Sequence, residues 1–322
     1  MNKRAVRMSP FLSACSSMLV ASTLASVALG QIDVADHVRA ARNSAGADWS
    51  QVADFFCVEG AATTPSTDHP ILEPTRIFDN LYVIGRSSTV VYAITTSAGI
   101  VLIDSGYADQ EESVLLAGMA ELGLDPNDIQ TIIIAHGHAD HYGGSAYLQS
   151  RYGARVVAAA EDWDLMERAA QSSDTPTQPS RDVEAQDGQP ITLGDTAITP
   201  IFIPGHTPGS LGLIFPVRDG DETHMAALFG GTILLSGRIS DEGLEQYARS
   251  LDHFGAVATE MGVDVEIQNH PLFDGMAEKL TQLAARPLGG PHPFVLARDS
   301  YGRFTSVIAS CMRAELARRA TR

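Results

Sequence analysis

Positive charge is sparse in this chain. Its 322 residues carry 22 Lys and Arg against 39 Asp and Glu, a formal net charge of −17. A nucleic-acid partner would call for a basic patch or stripe, so this balance argues against one. Plain solubility accounts for the excess acid. Cysteine is scarce as well: only Cys15, Cys57 and Cys311 are present, none in a metal-ligand spacing. Long apolar runs are missing beyond the first thirty residues, which excludes stable membrane insertion later in the chain. What is there, 44% hydrophobic and 19% charged residues, is enough for one large domain or two small ones.

The first thirty residues differ from the rest. Lys3, Arg4 and Arg7 make a positive start, Met18 to Leu29 is apolar and small, and Ser26-Val27-Ala28 or Ala28-Leu29-Gly30 offers a cleavage site. Residues 1–30 are therefore expected to be a secretory signal peptide. Leu12-Ser13-Ala14-Cys15 resembles a lipobox, so lipid anchoring at Cys15 is the alternative, although most of the apolar run follows that Cys. Cleavage removes three positive charges, taking the net charge from −17 to −20. It leaves Cys57 and Cys311, an even number in an oxidising compartment: either a bridge from the N-terminal part to the C-terminal helix, or two buried thiols.

Residues 31–75 are polar, with Pro and Thr gathering towards Pro74, and are expected to form an arm on the surface of a domain over 76–322. From Arg76 onwards strands and helices alternate, which says α/β. Strands are expected at Leu81 to Ile84, Val90 to Ile94, Ile100 to Ile103 and Val156 to Ala159, then at Ile191 to Leu193, Ala197 to Ile203, Leu211 to Val217 and Met225 to Phe229. Helices are expected at about Gln110 to Leu122, Ser145 to Arg151, Glu161 to Ala170, Glu242 to Met261, Phe273 to Ala285 and Tyr301 to Ala320. Residues 171–188 lack periodicity and form a long loop, which in a compact domain is functional or mobile.

The densest chemistry lies in residues 131–144. The β-branched run Ile132 to Ile134 reads as a strand buried on both faces. Directly after it come His136, His138, Asp140 and His141, and the pair Gly143-Gly144 closes the stretch. Three imidazoles and a carboxylate at the mouth of a buried strand are costly to desolvate without a partner, and a divalent metal supplies one. His136 and His138 alternate on extended backbone and so point the same way; Asp140 and His141 follow a turn and could face a second metal.

His136-x-His138-x-Asp140-His141 resembles the signature of the metallo-β-lactamase superfamily of zinc hydrolases. The resemblance covers about residues 76–285 and implies an αββα four-layer sandwich with its site along one edge. Two further segments resemble family motifs, Ile203-Pro204-Gly205-His206-Thr207-Pro208-Gly209-Ser210 and Val265-Glu266-Ile267-Gln268-Asn269-His270-Pro271. The resemblance then implies two zinc ions per chain, one on His136, His138 and His206 and one on Asp140, His141 and His270, with Asp140 also orienting the attacking water. Asp104 would accept a hydrogen bond behind the metal loop; an Asx turn ending its strand is the other reading. His37, His69, His224, His253 and His292 lack such contexts and read as surface or structural residues.

Glyoxalase-type thioesterases and many lactonases of the superfamily bridge both metals with an Asp after the strand that here is Ala226 to Phe229; this chain has Gly230-Gly231-Thr232 there. The other two β-lactamase subclasses have Arg at position 141 and a Cys near 231, whereas His141 without Cys or Asp is similar to subclass B3. The expected activity is thus β-lactam hydrolysis by a zinc-activated hydroxide in the periplasm, which confers antibiotic resistance. The alternatives are a lactone, ester or thioester hydrolase and, further off, a non-catalytic metal-binding protein or an iron oxidoreductase of the same fold. The partner is a small-molecule substrate, and a monomer is favoured. Gly231 and Thr232 are candidate substrate-pocket residues, and Gly231 is expected to leave space where a carboxylate would stand.

Overall fold

The computed structural model describes residues 33–58, 67–171, 175–234 and 239–321; the expected signal peptide and Cys15 lie outside them. Among the described residues two helices come first, α1 (Val34–Ala45) and α2 (Ser50–Cys57). The Asp33 side chain caps α1 by accepting from the Asp36 amide. Seven strands then line up in chain order in one sheet: β1 (Thr75–Phe78), β2 (Leu81–Arg86), β3 (Thr89–Thr96), β4 (Gly99–Ile103), β5 (Ile129–Ile133), β6 (Arg155–Ala158) and β7 (Val183–Glu184). The first four are antiparallel neighbours, and β4 to β7 run parallel. Parallel neighbours need crossovers, here built from α3 (Ala117–Glu121), α4 (Ala139–Tyr142), α5 (Ser145–Tyr152) and α6 (Ala160–Ala169).

The second sheet holds β8 (Ile191–Leu193), β9 (Thr196–Phe202), β10 (Leu211–Asp219), β11 (Glu222–Phe229) and β12 (Val265–Ile267), in the order β12-β11-β10-β9-β8. Helix α7 (Asp241–Glu260) carries the chain from β11 to its parallel neighbour β12, and α8 (Met276–Ala284) and α9 (Ser300–Ala320) follow.

Alternation along β5 shows how the layers arise. Ile133 enters the core between the sheets, with Val83, Tyr92, Leu213, Phe215 and Leu228. Ile132 points the opposite way, into the core under the helices with Met119, Leu148 and Trp163. A third core lies outside the second sheet, where Phe229 and Phe254 meet Trp49, Phe304 and Val307. Helix, sheet, sheet, helix is the αββα sandwich implied by the metal-loop resemblance.

Three segments differ from expectation. Where a surface arm was expected, α1 and α2 bury Ala41, Ala45, Trp49 and Val52 beside α9. The Trp49 indole donates to the Ser300 carbonyl at 2.8 Å, and Cys57 and Cys311 are bonded across 254 residues. The helix expected from Gln110 opens as a wider π-helical turn, Glu111–Leu116, before α3. The loop expected over 171–188 contributes β7, which pairs with β6.

Candidate metal centre

The carboxyl ends of β4, β5 and β12 and the turn after β9 meet at one edge of the sandwich and bring Asp104, His136, His270 and His206 together. The chain leaving β5 is pinned on both sides. The Asp104 carboxylate accepts the Ala135 amide at 2.8 Å, and the Ala135 carbonyl accepts the Leu211 amide at 2.8 Å. The single turn of α4 then presents Asp140 and His141. Gly143 ends that turn against the 105–108 backbone; a Cβ there would lie 2.4 Å from the Ala108 nitrogen. No other residue allows this approach.

The six candidate ligands form two sets. In the first, His206 Nε2 lies 3.0 Å from both His136 Nε2 and His138 Nδ1. In the second, His141 Nε2 and His270 Nε2 are 3.0 Å apart, and Asp140 Oδ2 is 3.5 Å from the former and 3.6 Å from the latter. The sets adjoin: the His136 and His141 rings are 3.9 Å apart, and a nitrogen of His136 is also near those of His141 and His270.

Hydrogen bonds fix which nitrogens face inward. His270 Nδ1 meets the Ser88 carbonyl at 2.7 Å; a carbonyl only accepts, so Nδ1 carries the proton and Nε2 presents a lone pair. His141 Nδ1 meets Asp104 Oδ2 at 2.7 Å, which places its lone pair on Nε2 in the neutral ring. Two lone pairs 3.0 Å apart repel unless a proton or a cation lies between them. Asn269 Nδ2 donates to the same Asp104 oxygen at 3.2 Å. Asp104 therefore bonds both His141 and Asn269 from behind the cluster.

Protonation follows from the same contacts. Burial, then the neighbouring imidazoles, hold His136 and His206 well below the usual histidine range. Burial and His141 lower His138, and burial brings His270 down to about 4. His141 is raised: burial opposes the shift, but Asp140 and Asp104 outweigh it. Asp140 is lowered, because His141 and His270 outweigh its burial. Four neutral imidazoles beside an ionised carboxylate suit zinc, and His141 joins them by giving up its Nε2 proton to the cation. With His136 Nε2 facing the cluster, its Nδ1 carries the proton of the neutral ring, and that buried N–H has no hydrogen-bond partner among the described residues. The residues present fit two divalent ions.

One expectation is corrected. Gly231 does not leave a space: a Cβ there would lie 2.8 Å from His206 Cβ and 3.0 Å from its Cγ. The strand after-turn runs so close to the first set that even a methyl group would displace His206. Thr232 is fully buried, its carbonyl accepting from the Tyr247 hydroxyl at 3.1 Å, while its Oγ1 has no partner among the described residues. His292 stacks on Phe78 at 4.0 Å and meets the Ile77 carbonyl, and His224 pairs with Asp264 at 2.7 Å. Both are structural.

Several site residues carry no signal in the sequence. Ser88 and Thr89 orient His270 from a β-hairpin, with Thr89 Oγ1 3.3 Å from His270 Nδ1 and 3.1 Å from the Tyr107 hydroxyl. Asp162 stands in the first turn of α6, where a carboxylate reads simply as favourable to the helix dipole.

Residues 84–219 match the family model of the metallo-beta-lactamase superfamily. A hydroxyacylglutathione hydrolase of Methylococcus capsulatus is 32% identical over 135 residues, 41% of this chain and 45% of that protein. A hydroxyacylglutathione hydrolase of a Synechococcus strain is 31% identical over 138 residues, 43% and 48% of the two chains. The chain thus spans about half the length of the curated relatives it matches. Among solved structures, the subclass B3 metallo-beta-lactamase BJP-1 of Bradyrhizobium japonicum superposes with a TM-score of 0.68 at 28% identity, covering 79% of this chain and 96% of that one. The native FEZ-1 metallo-beta-lactamase of Legionella gormanii gives 0.68 at 25% identity, covering 81% and 100%.

Proposed function

We propose that this chain, whose residues 84–219 match the metallo-β-lactamase superfamily model, is an exported, monomeric di-zinc hydrolase of the β-lactam amide bond, similar to subclass B3. His136, His138 and His206 hold one zinc; Asp140, His141 and His270 hold the other. When bound, the zinc pair supplies a water ionised near neutral pH and a Lewis acid for the carbonyl oxygen. Asp140 keeps 21% of its side chain open to solvent, and from there it orients the attacking water by accepting its hydrogen. Asp104 and the Ser88 carbonyl hold the His141 and His270 rings in the required tautomer, so neither ring has to reorient as charge develops on the substrate. Among the described residues no helix is long and apolar enough to cross a membrane.

Gly231 is the observation that favours a lactam. If the thioesterase relatives need a bridging carboxylate at this turn, contact with His206 leaves none of the room it would take. The 31–32% identity to hydroxyacylglutathione hydrolases supports the second reading, a thioester substrate. Zinc-loaded protein assayed on a penicillin, a cephalosporin, a carbapenem, a lactone and a hydroxyacylglutathione separates the two. We expect chelator-sensitive lactam turnover with a kcat/KM at least about tenfold above that for the thioester, roughly 1.4 kcal/mol of barrier. A thioester preference would reverse the assignment.

A further inference from the structure

We propose that Asp162 is the positioning carboxylate of the first metal set and of that set alone, an inference that rests on His136, His138 and His206 acting together as ligands. Asp162 is fully buried on α6, and both of its oxygens are engaged. Oδ2 accepts from the Gly137 amide and from the Thr207 hydroxyl, each at 2.7 Å, and Oδ1 accepts from the Gly209 amide at 2.9 Å. Gly137 is the residue between His136 and His138. Thr207 follows His206, and Gly209 completes the same turn. One carboxylate therefore ties together two loops whose ligands, 70 residues apart in the chain, must bring their nitrogens to 3.0 Å.

The close fit supports this role. A Cβ on Gly209 would lie 2.7 Å from the Asp162 nitrogen and 2.8 Å from its Cγ, and one on Gly137 would lie 3.1 Å from the Asp162 carbonyl oxygen. Both loops close on Asp162 because both are glycine where they touch it. Thr207 Oγ1 lies 2.6 Å from Ser210 Oγ, which also accepts the Thr207 amide at 3.0 Å. The carboxylate can only accept, so the Thr207 proton goes to Asp162 and the Ser210 hydroxyl donates to Thr207. The His206 turn is thus directed onto Asp162 at each hydrogen.

Asp104 does the corresponding work for the second set through His141 and Asn269, and it also accepts the Ala135 amide next to His136. The partners of the two carboxylates do not overlap. Asp162 bonds only the loops that carry the first set, so losing it should release one metal.

Native mass spectrometry of zinc-titrated protein against a competing chelator tests this, with circular dichroism confirming the fold. Wild type should hold two zinc ions. Asp162→Asn, whose amide must face a buried donor on one side, should weaken one zinc by about ten- to a hundredfold and the other by less than about twofold. Thr207→Val removes one of the three hydrogen bonds and should weaken the same zinc to a smaller degree. Adding Asp162→Asn to His206→Ala should cost no further zinc, whereas adding it to Asp104→Asn should cost both. Unchanged affinity, or equal loss of both ions, in folded Asp162→Asn would overturn the proposal. If that variant does not fold, wild-type affinity in Thr207→Val would do so. A wild-type protein that takes fewer than two zinc ions would overturn the ligand sets themselves, and this inference with them.

Discussion

Gly231 and His206 touch closely enough that a single methyl group separates a formed first set from a displaced one. The expected consequence is that Gly231→Ala lowers zinc affinity at one site by at least about tenfold and destabilises the fold by about 1–3 kcal/mol, the usual range for overpacking. Gly231→Asp should suffer the same contact before its carboxylate can bridge anything. Zinc titration and denaturant unfolding of the alanine variant check this, and wild-type values for both would show that His206 yields at no cost. At this scale the sequence was legible only where chemistry is local. His136, His138, Asp140 and His141 fall within six positions behind an apolar strand, so spacing alone exposes them. His206 and His270 needed the family motifs around them. Asp162 was invisible, because its partners Gly137, Thr207 and Gly209 are 25 to 47 residues away and are backbone groups or a lone hydroxyl.

Among the elements, the strands around the metal loop were readable because burial on both faces leaves near-continuous apolar runs. Helices α1 and α2 were not. The fully buried side of α1 is only Ala41 and Ala45, too small a face to register as a stripe, and the α9 helix it packs on is about 250 residues away. Trp49 meets Phe304 with ring centroids 5.0 Å apart, and Arg318 donates to the Cys57 carbonyl at 2.6 Å beside the Cys57–Cys311 bond. That bond closes a loop of 254 residues, so Cys57→Ser should lower the unfolding free energy by about 2–5 kcal/mol under oxidising conditions. Reductant should have the same effect on wild type and none on the variant. Intact mass after alkylation without reductant should find neither cysteine labelled, and two labelled thiols on folded protein would reject the bridge.

For the whole molecule, the αββα architecture was legible from the alternation of strands and helices together with the metal-loop motif, while the interior ion balance was not. Beneath the His270 segment lie Glu266 and Asp274, both buried, with Lys279 bonded to Glu266 at 3.0 Å. Burial first, then the Glu266 charge, push the Asp274 carboxyl up to about 7. An unfolded aspartate titrates near about 4, so the native state binds the extra proton between those values. This contribution to stability is fully present below about pH 4 and is lost as pH rises through about 7. The melting temperature of zinc-replete protein should therefore fall between pH 6 and pH 8 by more in wild type than in Asp274→Asn; an identical fall in both would remove Asp274 from the account. The central claim, two adjoining metal sites on six named side chains, is tested most directly by diffraction from zinc-soaked crystals at energies above and below the zinc absorption edge. Two anomalous peaks per chain are expected, one among the nitrogens of His136, His138 and His206 and one among Asp140, His141 and His270. A single peak shared by His136, His141 and His270, which also lie within reach of one ion, would contradict it.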